Sequence, residues 1–96
     1  MTIFIEIIDK TNRRIRLTKE RWKHILKHPE MPNKLEEIRQ ALEKPVKITS
    51  INSDPQVKYY YIYCKNELCA KFLRVTVKYL NGTGFIITAY LVETIR

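Results

Sequence analysis

The segment "ERWKHILKHPEMP", residues 20–32, carries the two side chains of this sequence best suited to move protons. His24 and His28 lie four residues apart, and an imidazole changes its charge near neutral pH. A pair at this spacing can also bind a metal ion, but the chain has no further histidine and Glu30 alone is a thin ligand set. We therefore expect no metal centre. The competing interpretation is that a histidine in a last helical turn only interacts with the helix dipole.

Alternation in the C-terminal half places a second set of polar side chains on one face of two strands. In residues 71–80 the apolar odd positions are Leu73, Val75, Val77 and Tyr79, whereas Arg74, Thr76 and Lys78 are even. In residues 85–92 Thr88 and Tyr90 are even. The odd, apolar positions of that second strand are Phe85, Ile87, Ala89 and Leu91. Each strand is therefore expected to have a core face and a free face.

The tyrosine-rich segment "VKYYYIYC" extends the same free face. We expect the face to carry Tyr59, Tyr61, Tyr63, Phe72, Arg74, Thr76, Lys78, Thr88 and Tyr90. Aromatic rings interleaved with cations suit single-stranded nucleic acid, because bases stack on the rings and phosphates meet the cations. The competing interpretation is that tyrosines are good strand formers and that the cations keep an exposed face soluble.

These residues could together cleave RNA, which carries its own nucleophile in the 2′-OH. Cleavage needs a base for that hydroxyl, a donor for the leaving 5′-oxygen and cations around the phosphate. His28 is the candidate general base or acid, and Arg74 and Lys78 are candidates to hold the phosphate. Tyr90 or Thr88 could donate a proton or hydrogen-bond the phosphate. No metal or cofactor is required.

The first half of the chain predicts a hairpin and two helices. Residues 2–8 and "RRIRLT" are typical of a strand and a returning strand around the turn "DKTN". Thr18 is a good N-cap for a helix over about residues 19–28, which Pro29 ends. A second helix fits residues 33–44.

Histidine placement on the first helix follows from a helical wheel. Trp22, Ile25 and Leu26 form the apolar stripe of this helix. His28 lies near the border with that stripe and is expected to reach over a sheet edge, whereas His24 lies about opposite the stripe, where reaching the sheet is awkward.

The second half of the chain predicts strands, in "VKITSI", "VKYYYIYC", "AKFLRVTVKYL" and "GFIITAYLVE". We therefore expect one α+β domain over residues 1–96. It would comprise an N-terminal strand or hairpin and two helices packed on one face of a twisted antiparallel sheet of about four strands. The other face of the sheet is then available for function.

Hairpin lengths decide which residues lie opposite one another. A three-residue loop, Asn81-Gly82-Thr83, keeps both apolar faces on one core and pairs Arg74 with Tyr90 and Thr76 with Thr88. A two-residue Asn-Gly turn has the better local propensity but would put Lys78 beside Phe85 and flip one strand, so burial is expected to win. A turn at Asn66-Glu67 would pair Tyr59 with Arg74 and Tyr61 with Phe72.

Composition limits the partners and the location. The net charge of +8 favours polyanions, with nucleic acid first, an acidic protein second and a membrane surface less favoured. No apolar run approaches the roughly 20 residues that cross a bilayer, and the N-terminus lacks signal-peptide features, which favours the cytoplasm. Cys64 and Cys69 are interpreted as packing residues, since a cytosolic setting favours free thiols.

Several motifs together resemble the phage-associated barnase–EndoU–colicin–RelE-like nuclease family, over about residues 15–92. They are "RWKHILKHPEM", a helix ending near "KP", the tyrosine-rich strand, "LRVTVKY" and "GFIITAY". The resemblance implies a metal-independent endoribonuclease with its active site on the sheet, and members often act as toxins. Carried onto this sequence, the motif positions are His24, His28, Arg74, Lys78, Thr88 and Tyr90. The implied partners are RNA and an acidic antitoxin or immunity protein.

Two other classes of function remain open at this point. A non-catalytic RNA-binding module would use the same face, with Tyr59, Tyr61, Arg74 and Lys78 as the binding residues. A protein-interaction domain would dock an acidic partner on its basic face. The sequence leaves open the RNA substrate, which group is the base and which the acid, and the oligomeric state.

Overall fold

The structure, a computed structural model, describes residues 3–64 and 72–95 of the chain. Within these residues it has six strands and two helices. In chain order they are β1 (Ile3–Ile8), β2 (Arg14–Thr18), α1 (Lys19–Ile25), α2 (Leu35–Glu43), β3 (Lys47–Ile51), β4 (Asp54–Tyr63), β5 (Phe72–Leu80) and β6 (Thr83–Val92). In this part of the chain neither helix is long and apolar enough to cross a membrane.

The six strands form one mixed sheet in the order β1-β2-β6-β5-β4-β3. The α+β class is confirmed, but the predicted antiparallel sheet of about four strands is wrong. The N-terminal hairpin joins the sheet because β2 pairs in parallel with β6, at Ile15↔Gly84 and Arg16↔Phe85. A parallel contact between strands so distant in sequence leaves no local signal, because no turn encodes its register.

One face of the sheet packs against α2. This helix buries Ile38, Ala41 and Leu42 in a cluster that also contains Leu73 and Val75 of β5. Ile25 of α1 and Met31 belong to the same cluster and are fully buried. We call this side of the sheet the core face.

Helix α1 begins as predicted and ends earlier. The Thr18 side chain accepts a hydrogen bond from the Arg21 backbone N–H at 3.2 Å, which confirms the N-cap. The helix ends at Ile25 rather than at residue 28, because the next hydrogen bonds tighten to the i→i−3 pattern, with His28 N–H donating to the Ile25 carbonyl. Leu26, predicted in the apolar stripe, is 37% exposed.

The β5–β6 hairpin contradicts the predicted loop. Leu80 pairs with Thr83, so the turn is the two-residue Asn81-Gly82, with φ of 54° and 83° as a type I′ turn requires. A β-bulge then shifts the register between Thr76 and Val77, which leaves Ile87 as the extra residue of β6. The turn propensity of Asn-Gly therefore decides the length of the loop. The bulge then restores the predicted alternation of core-facing and outward-facing residues in the rest of β6.

The bulge divides β6 into two parts, in which even-numbered and then odd-numbered residues face the core. Gly84 and Ile86 face the core before it and Ala89 faces the core after it, so Phe85 lies on the opposite face beside Lys78. The prediction that Phe85 and Ile87 face the core is therefore wrong. The predicted pairs of Arg74 with Tyr90 and of Thr76 with Thr88 are confirmed.

The β4–β5 register differs from the prediction by two residues. Tyr59 lies opposite Thr76, Tyr61 opposite Arg74 and Tyr63 opposite Phe72. Every tyrosine keeps its predicted face, because a shift of two preserves alternation. The predicted Asn66-Glu67 turn and Cys69 lie outside the described residues, while Cys64 is buried as expected of a packing residue.

A buried carboxylate anchors the N-terminal hairpin to the rest of the fold. Asp9 Oδ1 accepts hydrogen bonds from the backbone N–H groups of Thr11 and Arg13, both at 2.9 Å. Its Oδ2 accepts from the hydroxyls of Tyr79 at 2.6 Å and Tyr60 at 3.0 Å, and those hydroxyls also contact each other. The Arg13 guanidinium lies 3.7 Å from the centre of the Tyr79 ring. The cluster joins the β1–β2 turn to β4 and β5.

The ionisation of this cluster is shifted by its surroundings. Burial alone would raise the pKa of Asp9, but the hydrogen bonds it accepts hold that pKa below its ordinary value. Burial and the nearby carboxylate raise the pKa of both Tyr60 and Tyr79. Asp9 is therefore a charged acceptor between two neutral phenols.

Alanine at Gly84 is expected to destabilise the fold by about 1–3 kcal/mol, because the site is already filled. An added Cβ would lie 2.6 Å from Ile15 Cδ1 and 3.0 Å from side-chain carbons of Val77 and Tyr79. Urea unfolding measures the loss, with Ser50→Ala on exposed strand β3 as the control. Equal midpoints for Gly84→Ala and the control would show that the β2–β6 contact can open without cost.

Candidate active site

Along each strand, every second side chain lies on the side of the sheet opposite the core face. We call this side the outer face. It carries Tyr59, Tyr61 and Tyr63 of β4, Phe72, Arg74, Thr76 and Lys78 of β5, and Phe85, Thr88 and Tyr90 of β6. Alternation alone had assigned all of these except Phe85. The face is not uniformly open, because Tyr61 is fully buried and Thr76 is 9% exposed.

Arg74 lies at the centre of a small cluster on the outer face. Its guanidinium carbon is 4.8 Å from the ring centre of Tyr59 and 4.8 Å from that of Tyr90. Its Nη2 donates a hydrogen bond to the Tyr90 hydroxyl. Two aromatic neighbours and one hydrogen bond restrict the guanidinium, so the orientation of its donors is largely set before any ligand arrives.

His28 completes this cluster from the other side of Tyr90. The two rings stack with centres 5.2 Å apart and an interplanar angle of 27°. Helix α1 follows β2 directly and packs against β6, and the turn after α1 carries His28 to Tyr90. His28 therefore contacts the sheet at β6, an internal strand, and its catalytic role stays a prediction. We call Tyr59, Arg74, Tyr90 and His28 the Arg74 cluster.

His24 lies apart from the Arg74 cluster. It is exposed on α1, and within the part of the chain that the structure describes its side chain makes no hydrogen bond, ion pair or ring contact with the sheet. Its backbone carbonyl accepts a hydrogen bond from Lys27 N–H at 3.2 Å. The wheel had placed it about opposite the apolar stripe, and the structure agrees.

Thr88 and Lys78 lie further along the outer face. Thr88 is half-buried and pairs with Thr76, one step from the Arg74–Tyr90 pair. Lys78 is four residues from Arg74 on the same strand, about 13 Å at roughly 3.3 Å per residue. Its Nζ forms an ion pair with Asp54 Oδ2 at 3.5 Å. With its ammonium paired to Asp54, Lys78 is not part of the Arg74 cluster, and its role as a phosphate binder stays a prediction.

Among the residues that the structure describes, three buried polar atoms on the same side of the sheet have no hydrogen-bond partner. They are Arg74 Nε, Tyr61 Oη and Thr49 Oγ1. Tyr61 is the cross-strand neighbour of Arg74, so two of the three belong to one pair. Such atoms are uncommon in native proteins, and active sites are one place where they occur. Because Tyr61 is fully buried, its ring offers no surface on which a base could stack.

A cavity of about 550 Å³ opens beside Arg74 and is lined by Val92, Glu93 and Thr94. Glu93 is a carboxylate that the sequence reasoning missed. It could have been identified from its position directly after β6, three residues beyond Tyr90. Within residues 3–64 and 72–95 no three His, Cys, Asp or Glu side chains are grouped to hold a metal ion. That no cofactor is needed stays a prediction.

Comparison with known proteins adds no relative. No protein-family model, curated protein or solved structure matches this chain. The functional argument therefore depends on the site itself, and the family resemblance stays an expectation.

Proposed function

We propose that this protein is a metal-independent endoribonuclease that cleaves RNA by attack of the 2′-OH on the adjacent phosphate. The observation that carries the proposal is the Arg74 cluster, in which an oriented cation, a phenol and an imidazole are in continuous contact on one face of the sheet. The net charge of +8 supports a polyanionic substrate.

Arg74 would bind the scissile phosphate. Negative charge on the phosphate oxygens increases as the pentacoordinate transition state forms, and a guanidinium can donate to two of those oxygens at once. The rings of Tyr59 and Tyr90 limit the rotation of the guanidinium, so it loses little conformational entropy when the transition state forms. Tyr59 is half-buried, and its remaining surface can take a base.

His28 and Tyr90 would carry out the two proton transfers of the reaction. The reaction needs one group that takes the 2′-OH proton and another that gives a proton to the leaving 5′-oxygen. His28 is half-buried beside Tyr90, whose hydroxyl already accepts from Arg74, so both groups lie next to the phosphate that Arg74 would hold. Thr88, two residues before Tyr90 on β6, would donate a hydrogen bond to a non-bridging oxygen of the phosphate. His24 has no assigned role in this arrangement.

The biological setting that we propose is the cytoplasm, where the enzyme would act on cellular RNA as a toxin. A strongly basic nuclease of this kind would need an acidic antitoxin or immunity protein, which masks the cationic face until release. These statements are drawn from the family resemblance and from the net charge, and they require that the protein cleaves RNA.

The experiment that tests the proposal compares the two histidines of one helical segment. RNA cleavage in EDTA is measured for wild type, His28→Ala and His24→Ala. We expect His28→Ala to reduce the rate about 10²–10⁴-fold, as removal of a proton-transfer group does, and His24→Ala to stay close to wild type. Thermal unfolding of each variant separates lost chemistry from lost structure.

Two results would contradict the proposal. Equal rates for His28→Ala and His24→Ala would remove the imidazole from the chemistry. Tight, salt-sensitive binding of RNA without cleavage of any RNA, ribosome-bound message included, would favour the non-catalytic RNA-binding module.

A further inference from the structure

We propose that the outer face has a second RNA subsite, which binds another nucleotide of the strand that the Arg74 cluster holds. This inference rests on the proposed nuclease function and extends it to the length of the substrate. The subsite is a row of three side chains across three strands, Lys78 of β5, Phe85 of β6 and Arg16 of β2. We call it the Phe85 row.

Strand pairing places the Phe85 row on one face. Lys78 lies opposite Phe85 in the antiparallel β5–β6 pair, and Arg16 lies opposite Phe85 in the parallel β2–β6 pair. Directly opposite residues share a face, so the half-buried ring has a cation on each side. The two-residue Asn81-Gly82 turn creates this arrangement, because it sets Phe85 opposite Lys78, whereas the predicted three-residue loop would have turned Phe85 to the core.

A groove runs along the Phe85 row. It has a volume of about 420 Å³, and its lining includes Arg16, Lys78, Phe85 and, from α1, Arg21. Among the described residues the side chain of Arg21 makes no ion pair, and it is exposed at the rim of the groove. The lining of the groove therefore combines one aromatic ring and three cations with Thr18 and the apolar residues Leu80, Ile86 and Ile87.

Single-stranded RNA fits this chemistry. A base can stack on Phe85 while its flanking phosphates meet the cations, which repeats with other residues the aromatic-cation pattern of the Arg74 cluster. Arg74 and Lys78 are about 13 Å apart along β5. Arg74 contacts Tyr59 and Tyr90, whereas Lys78 lies opposite Phe85, so the two subsites would bind different nucleotides of one strand.

Acidic neighbours of the row do not prevent this binding. Arg16 pairs with Glu6 at 3.1 Å and Lys78 pairs with Asp54 at 3.5 Å. Both pairs are solvent-exposed, where ion pairs contribute little, so a phosphate can replace the carboxylate. Glu6 and Asp54 lie beyond the two ends of the row and would limit the RNA to the groove.

The test measures the affinity of a fluorescent 2′-O-methyl oligonucleotide, which cannot be cleaved, in two lengths. We expect Phe85→Leu and Arg21→Ala each to weaken binding of an octanucleotide roughly fivefold or more, and to leave binding of a dinucleotide unchanged. Lys23→Ala is the matched control, because Lys23 is an exposed cation of the same helix outside the groove.

A fourth variant moves the affinity in the opposite direction. Asp54→Asn removes the ion pair to Lys78 while Oδ1 can still accept from Gln56 N–H, which it now does at 3.1 Å. Octanucleotide binding is expected to tighten about twofold to fivefold. Tightening would support a contact between Lys78 and the RNA, and weaker or unchanged binding would exclude Lys78 from the subsite; thermal unfolding of the other variants tests for misfolding.

Failure of this inference is distinguishable from failure of the proposed function. If wild type cleaves RNA and the groove variants bind the octanucleotide as wild type does, the subsite is overturned and the nuclease stands. If the groove variants lose affinity but wild type cleaves no RNA, the nuclease is overturned and the subsite stands as part of a binding surface. If an oligoglutamate peptide competes as well as RNA, the groove recognises acidic chains in general and the subsite is overturned.

Discussion

Alanine at Arg74 is expected to lower the rate of RNA cleavage about 10²–10³-fold, the usual effect of removing one donor that stabilises transition-state charge. Arg74 contacts both Tyr59 and Tyr90. Its loss would remove the phosphate contact and also leave the Tyr90 hydroxyl without its donor. Single-turnover cleavage in EDTA measures the rate.

Two further variants identify the cause of that loss. Arg74→Lys keeps the charge but loses the planar pair of donors, so we expect a rate between wild type and Arg74→Ala. Arg39→Ala removes the same charge from α2, where Arg39 pairs with Glu36 and Glu43, and should leave cleavage unchanged. A large loss for Arg39→Ala would attribute the effect to net charge rather than to the site.

Alanine at Asp9 is expected to cost about 2–5 kcal/mol of stability, the largest effect that we predict on folding. The substitution leaves the buried hydroxyls of Tyr60 and Tyr79 without their charged acceptor, and it removes the acceptor of two backbone N–H groups in the β1–β2 turn. Urea unfolding measures the change. The exposed neighbour Lys10→Ala is the control, since its described hydrogen bond uses only the backbone N–H. Equal stabilities for the two variants would contradict the anchoring role.

The pH dependence of stability gives the same residue a second test. The pKa of Asp9 is lower in the folded protein than in the unfolded chain, so its contribution is present above the unfolded value, about 3.9. That contribution is lost as the pH falls through the folded value. Unfolding of wild type and Asp9→Asn between neutral and strongly acidic pH should therefore show a stability difference that shrinks on acidification. A constant difference would mean that the charge of Asp9 contributes nothing.

Alternation predicted the membership of the outer face well, because the side-chain period of a strand depends only on its own sequence. The face assignments of Tyr59, Arg74 and Tyr90 depended only on this local rule. A contact between His28 and the sheet was also expected from the sequence, although α1 ends at Ile25 and a tighter turn after it carries His28.

Long-range geometry could not be predicted in the same way. The tyrosines of β4 are two residues out of the predicted register because any even shift keeps the same faces. The position of Phe85 depends on the two-residue Asn81-Gly82 turn, and the bulge that restores the predicted pairs beyond it cannot be located from that turn. Asp9 looked like a turn residue, and its phenol partners lie 51 and 70 residues away.

The most direct test of the proposed chemistry is to map the product ends of an RNA incubated with wild-type protein in EDTA, beside the same RNA with a single 2′-deoxy nucleotide at a mapped cleavage site. Attack by the 2′-OH predicts 2′,3′-cyclic phosphate ends on the RNA and no cut at the deoxy position. Cutting at the deoxy position, or activity only after Mg²⁺ is added, would contradict the assignment of the Arg74 cluster as a metal-independent ribonuclease site.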